Sequence, residues 1–246
     1  MPDEFRQEVL TSFYRVRQAL GYLGLVLPVA LVIGGVLSLG GVEPSISDYY
    51  YTVLRDIFVG SMFAIAIFLI AYPGHARRGG EWLSDDTITT VAGVAALGVA
   101  FFPNQGPGRG DVLTVTQQAL GVQAAAIGHY LSALVFLGCL AWMCLVKFSR
   151  TAKPARRRIY RSCGWAIAAL TGIVVVASVI KIWGSGTPQR IVVDWLVVLW
   201  AEALAIWAFS IAWLTKGRAD HSLARILHLP ERKEAPVFED EDPLRN

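Results

Sequence analysis

An all-α membrane bundle of six transmembrane helices, with both termini cytoplasmic, is the fold class that this 246-residue sequence predicts. Three observations lead there. Hydrophobic residues make up 54% of the chain and charged residues only 17%, too apolar a balance for a soluble domain of this size. The charges sit in blocks, leaving six long stretches almost free of them, which a bilayer explains and a soluble core does not. Lysine and arginine then fall mainly on one set of alternate connections, as the positive-inside rule requires.

The elements follow in chain order. Residues 1–18 are charged and mixed, with no short apolar region and cleavage site of the kind a signal peptide needs. Phe5, Val9, Leu10, Phe13 and Val16 recur there at helical spacing. That pattern reads as a cytoplasmic interfacial helix or as a helical extension of the first span. The transmembrane domain covers residues 19–215. Its expected spans are Ala19–Gly41, Val53–Pro73, Thr87–Pro103, Ala124–Val146, Cys163–Trp183 and Ile191–Thr215. Small residues (Gly34 and Gly35 in the first, Ala92, Ala96 and Ala100 in the third) let helices approach closely. Residues 216–246 form a cytoplasmic tail, disordered toward its end, where prolines surround the acidic run Glu239–Asp242.

Orientation rests on 18 of the 22 basic residues falling on one side, including Arg15, Arg17, Arg77, Arg78 and the run from Lys147 to Arg161. Arg55, Arg109, Lys181 and Arg190 remain on the other, extracytoplasmic side. The run from Lys147 to Arg161 fixes topology and attracts anionic lipid. A net charge of +3 gives no support to a nucleic-acid partner. Cys139, Cys144 and Cys163 all fall in spans and suggest no disulfide framework. The glycines of the loop Asn104–Gly121 do not follow a strand and open a helix, so a nucleotide site is not expected.

An ionisable group inside the bilayer costs several kcal/mol unless paired or hydrated, so each one needs a reason. Arg55, Asp56, His129, Lys181 and Glu202 are such groups, Asp194 opens the sixth span, Asp48 lies in the outer loop before the second, and the topology gathers them all toward the extracytoplasmic side. In a continuous sixth span, Glu202 would sit about 12 Å below Asp194, close to mid-membrane. The cytoplasmic half of the bundle is expected to be nearly free of charge. Two readings of the charged set stand together: ion pairs that fix helix register, and an outward-facing polar pocket for a lipid headgroup or small solute. Glu202 is the strongest single functional candidate, since a buried carboxyl group suits proton transfer.

The segment Pro44-Ser45-Ile46-Ser47-Asp48-Tyr49, followed by Tyr51-Thr52-Val53-Leu54-Arg55-Asp56-Ile57-Phe58-Val59-Gly60, resembles DUF998-type bacterial membrane proteins. It is more distantly similar to the group of FGF-receptor-activating and autophagy-modulator (DRAM) membrane proteins. The segments Ala92–Pro103 and His129–Ala133 fit the same layout. The resemblance implies a six-helix bundle in a cell membrane, that of a bacterium. It carries Ser47, Asp48, Arg55, Asp56 and His129 across as site positions, and through the distant relatives it favours lipid as partner. Alkaline-ceramidase-type zinc hydrolases use three histidines. This sequence has four in all, and His75, His221 and His228 fall in cytoplasmic segments. No metal or other cofactor is expected.

Three functions follow. The first is a binding protein whose outward pocket holds a lipid headgroup or small solute. The second is a lipid hydrolase or transferase with Glu202 or His129 as acid/base and Arg55 gripping phosphate. The third is a proton-coupled transporter that titrates Glu202.

Overall fold

The computed structural model describes residues 3–72, 83–105 and 113–217. Arg77, Arg78, Arg109, the glycines from Gly106 to Gly110, His75, His221, His228 and the acidic run of the tail lie outside the described residues. Every regular element among the described residues is helical. They are α1 (Asp3–Leu39), a 3-10 turn (Ser47–Tyr51), α2 (Arg55–Ile70), α3 (Asp85–Phe101), α4 (Val115–Leu120) and α5 (Val122–Trp142). A π turn (Met143–Phe148), α6 (Ser149–Thr151), α7 (Pro154–Trp183), α8 (Gly186–Asp194) and α9 (Val197–Lys216) complete the set.

Four of these stretches are long and apolar enough to cross a membrane: Tyr14–Leu39, Val122–Phe148, Pro154–Trp183 and Val197–Lys216. Helices α2 and α3 have 16 and 17 residues. At 1.5 Å per residue they reach about 24 and 26 Å, short of a hydrocarbon layer of about 30 Å. The helical pattern of residues 1–18 belongs to α1, which runs without a break from Asp3 to Leu39. Local chemistry sets the other boundaries. The Ser84 hydroxyl accepts from Thr87 N to cap α3, and Thr114 with Gln117 closes a capping box on α4. Pro154 opens α7 where its missing N–H costs nothing.

Helices α1, α2, α3, α5, α7 and α9 pack in chain order, each on the next, and α9 closes back on α1. Small residues set how near they come. A Cβ on Gly24 would lie 2.5 Å from Ser210 Oγ of α9. One on Gly93 would lie 2.8 Å from the Ala66 carbonyl oxygen and 2.6 Å from Ile70 Cγ1. Ala92, Ala96 and Ala100 are all buried beside Gly93 on α3. Gly34 and Gly35 serve otherwise: they face Leu54 and Tyr49 of the segment after α1, not a neighbouring helix. Pro28 cannot donate within α1, and Trp207 Nε1 of α9 donates to the nearby Leu25 carbonyl at 3.2 Å.

Two expectations need correction. The run Ile191–Thr215 is not one helix. The chain breaks at Leu196, whose φ of 52° is left-handed, and α8 is separate from α9. Nor is the end of the bundle opposite Asp48 free of charge, because Arg17, Asp85, Lys147 and Lys216 are all buried there. Arg17 Nη2 donates to Tyr72 Oη at 2.8 Å, and its guanidinium lies 5.4 Å from the centre of that ring. Lys147 pairs with Asp85 at 3.2 Å, and the Lys216 ammonium lies 5.6 Å from the Phe148 ring centre. Trp213 fills the middle, edge-on to Tyr72 and Phe148. Residues that flank apolar runs as topology signals are therefore drawn in as partners of an aromatic core.

Gly93→Ala should lower the unfolding stability of the purified protein in detergent by about 1–3 kcal/mol, because backbone blocks the new methyl group. Gly138→Ala should not, since nothing lies within 4 Å of its Cβ position.

Candidate functional site

The site begins with a segment that folds back on the bundle. Ser45 turns the chain: Asp48 N donates to its hydroxyl at 3.1 Å and to its carbonyl at 3.2 Å. The 3-10 turn that follows is closed by Thr52 Oγ1 on the Tyr49 carbonyl at 2.9 Å. Tyr49 is fully buried in the notch left by Gly35, where a Cβ would lie 2.6 Å from its hydroxyl. Burial pushes the Tyr49 phenol above its usual pKa. The segment is then tied to α9 by two backbone donors. Leu199 N reaches the Pro44 carbonyl at 3.1 Å, and Ile46 N reaches Glu202 Oε2 at 2.7 Å.

Docking the turn in this way buries Asp48, whose side chain is 1% exposed. Two partners answer the carboxylate. The Lys181 ammonium of α7 pairs with Oδ2, and Asn104 Nδ2, just past α3, donates to Oδ1 at 2.7 Å. Asn104 is held in turn by Tyr51, which donates to its carbonyl at 2.5 Å. The Asn104 side-chain oxygen is buried and has no hydrogen-bond partner. Since Nδ2 must be the donor to a carboxylate, this orphan is an acceptor.

His129 of α5 stands beside this pair, 1% exposed. Its Nδ1 lies 2.7 Å from the Phe102 carbonyl oxygen and its Nε2 lies 2.9 Å from Ser47 Oγ. A carbonyl oxygen only accepts, so Nδ1 carries the proton. Nε2 of the neutral ring then accepts from the Ser47 hydroxyl.

These groups line one end of a cavity of about 240 Å³ between α5 and α7. Ser45, Ser47, Asn104, His129, Lys181 and Glu202 form its polar end. Below them the walls are mainly apolar, from Ala133 to Leu137 on α5 and from Val179 back to Val174 on α7, with Ser178 and Thr171 as the hydroxyl residues among them. From His129 to Leu137 the groove descends about 12 Å along the helix. Leu134, Val175 and Val179 are each nearly half exposed, so the groove opens sideways on the apolar surface of the bundle.

Of the seven residues expected at the site, four meet here: Asp48, His129, Lys181 and Glu202. Arg55, Asp56 and Asp194 do not. All three are exposed, and none lines the cavity. Arg55 instead lies 4.5 Å from the centre of the Tyr50 ring and donates to its hydroxyl at 3.1 Å. Glu202 does not sit eight residues down a continuous helix, because the break at Leu196 restarts the count and leaves it in the second turn of α9. Sequence reasoning missed Ser45, Asn104 and Tyr130 as lining residues, and it reached Ser47 only through the resemblance of the motif around it. Among the described residues, no group of three His, Cys, Asp or Glu side chains is placed to hold a metal ion.

Comparison with protein-family models, curated proteins and solved structures finds no match to this chain. The protein is thus characterised by its own fold and cavity: described residues that are all-helical, with four helices among them able to cross a membrane, and a cavity polar at one end and mainly apolar along its length.

Glu202→Gln should keep stability within about 0.5 kcal/mol of wild type, because an amide oxygen can still accept from Ile46 N. Glu202→Leu strands that N–H and should cost about 1–3 kcal/mol. Asp194→Ala, on the surface, should be neutral in the same detergent unfolding measurement.

Proposed function

We propose that this protein crosses a cell membrane six times with both termini in the cytoplasm, and that its cavity binds a lipid or similar amphiphile. The placement of basic residues supports the orientation, and it puts the polar end of the cavity on the extracytoplasmic side. On this reading α2 and α3 complete the bundle as short spans, a mismatch that local bilayer thinning or flanking residues accommodate.

The observation that carries the binding proposal is the shape and chemistry of the groove: a polar head end, an apolar length, and a side opening between α5 and α7. A soluble metabolite would gain little from those walls. An alkyl chain would bury its methylenes at about 0.8 kcal/mol each relative to water. The head end also selects. Lys181 is already committed to Asp48, Glu202 adds a second carboxyl group, and Arg55 is elsewhere. That balance disfavours phosphate and suits an uncharged headgroup with hydroxyls to donate, for which the Asn104 side-chain oxygen is an unused acceptor.

The test uses 1-O-decylglycerol, an ether that cannot be hydrolysed at an acyl bond, with binding to the purified full-length protein read by native mass spectrometry. Leu134→Trp and Val175→Trp fill the groove and should weaken binding at least tenfold, about 1.4 kcal/mol. Val36→Trp and Val94→Trp, at exposed positions outside the cavity, should leave it unchanged. Equal binding by all four variants would place the amphiphile somewhere else on the protein.

A further inference from the structure

The proposal of an amphiphile cavity leaves one arrangement without a use. Ser47 and His129 are 82 positions apart in sequence, yet they face each other across the polar end of the cavity with Oγ 2.9 Å from Nε2. Ser47 is partly open, whereas His129 is buried behind it. The imidazole is oriented from its far side by the Phe102 carbonyl at 2.7 Å, which fixes the tautomer that leaves Nε2 ready to take a proton. A hydroxyl on a base, and a base held by a third group, is the arrangement that makes serine a nucleophile.

A structural role alone would need the hydrogen bond but not its position. This bond lies on the wall of a cavity that continues into an apolar groove. Donors for a developing oxyanion line the same cavity. Lys181 has further N–H groups beyond the one facing Asp48. The Tyr130 hydroxyl, which receives Gln105 N at 3.4 Å, keeps its own proton to donate. Asp48 lies within electrostatic reach of His129, so an imidazolium formed in passing would have a carboxylate nearby.

Resting on the cavity reading, we infer that Ser47 and His129 cleave a carboxylic ester of the bound amphiphile by acyl transfer through Ser47. Ser47 Oγ forms a bond to the ester carbonyl carbon while its proton passes to His129 Nε2. The bond from that carbon to the alcohol oxygen breaks, and His129 returns the proton to the departing alcohol. Water then attacks the acyl-Ser47 carbonyl and gives a proton to Nε2. The fatty acid leaves and the Ser47 hydroxyl is restored. Two-electron acyl transfer of this kind consumes only ester and water.

The full-length protein in lipid nanodiscs should release decanoate from 1-decanoylglycerol. Ser47→Ala and His129→Gln should each lower kcat/KM by about a thousandfold or more, while Val36→Trp, outside the cavity, should hydrolyse the ester as wild type does. A decyl ethoxyfluorophosphonate should label the wild-type protein at Ser47, as located by peptide mass spectrometry, which keeps the test independent of how well either variant folds. Ether binding without hydrolysis above the Ser47→Ala level, or labelling at another residue, would overturn the catalytic inference and leave the binding reading intact. Failure of the wild type to bind the ether would remove the binding reading itself.

Discussion

A carboxylate withdrawn from water must be answered by a cation or by several hydrogen bonds, and Asp48 is 1% exposed. Its partners come from distant parts of the chain, Lys181 from α7 and Asn104 from the exit of α3. Leaving out Lys181 would strand a charge in the bundle, and leaving out Asn104 would cost Oδ1 its hydrogen bond. The turn that carries Asp48 is therefore fixed in place, and Ser45, Ile46 and Ser47 are fixed with it. With the ties of Ile46 N to Glu202 and of Leu199 N to Pro44, that anchor brings Ser47 to His129 and forms the polar end of the cavity.

The two ends of the bundle solve burial of charge in different ways. At the Asp48 end, charged and polar groups border a cavity, and an acceptor is left over on Asn104. At the other end, Arg17, Lys147 and Lys216 are packed among Tyr72, Phe148 and Trp213, with Asp85 as an acidic partner. The second cluster is dense and closed by aromatic faces, as a structural plug should be. The first opens on a cavity, as a binding site should, and this is what separates them, since Trp213 Nε1 in the second cluster also lacks a hydrogen-bond partner. Between them α1, α3 and α9 are held by glycine and alanine at contacts with no room for a larger side chain.

Much of the helical plan was legible because hydropathy and charge blocks report directly on which segments avoid water. Predicted boundaries for α3 and α5 fall within two residues at their starts. The break at Leu196 was not legible. The apolar run continues through it, and a leucine at φ 52° has none of the glycine signal that usually marks left-handed backbone. Buried Arg17, Lys147 and Lys216 were hidden for a related reason, since a lysine beside an apolar run looks the same whether it faces water or an aromatic ring. At the site, the costliness of charge in lipid singled out Asp48, His129, Lys181 and Glu202. The same argument also swept in Arg55, Asp56 and Asp194, which border apolar runs but remain exposed. Ser47 and Asn104 carry no charge, so the charge argument passes over both; the resemblance pointed to Ser47, and only tertiary contact gives Asn104 away.

The polar end of the cavity depends on the Asp48–Lys181 pair holding the Ser45–Asp48 turn inside the bundle. A double-mutant cycle on Asp48→Asn and Lys181→Met, read as unfolding free energy in detergent, measures that coupling directly. Lys181→Met should cost roughly 3 kcal/mol or more by stranding Asp48, Asp48→Asn should cost less because Lys181 is 22% exposed, and the double variant should recover more than about 1 kcal/mol of the summed loss. Strictly additive effects would mean that the two groups do not meet, and the turn would have to be anchored in another way.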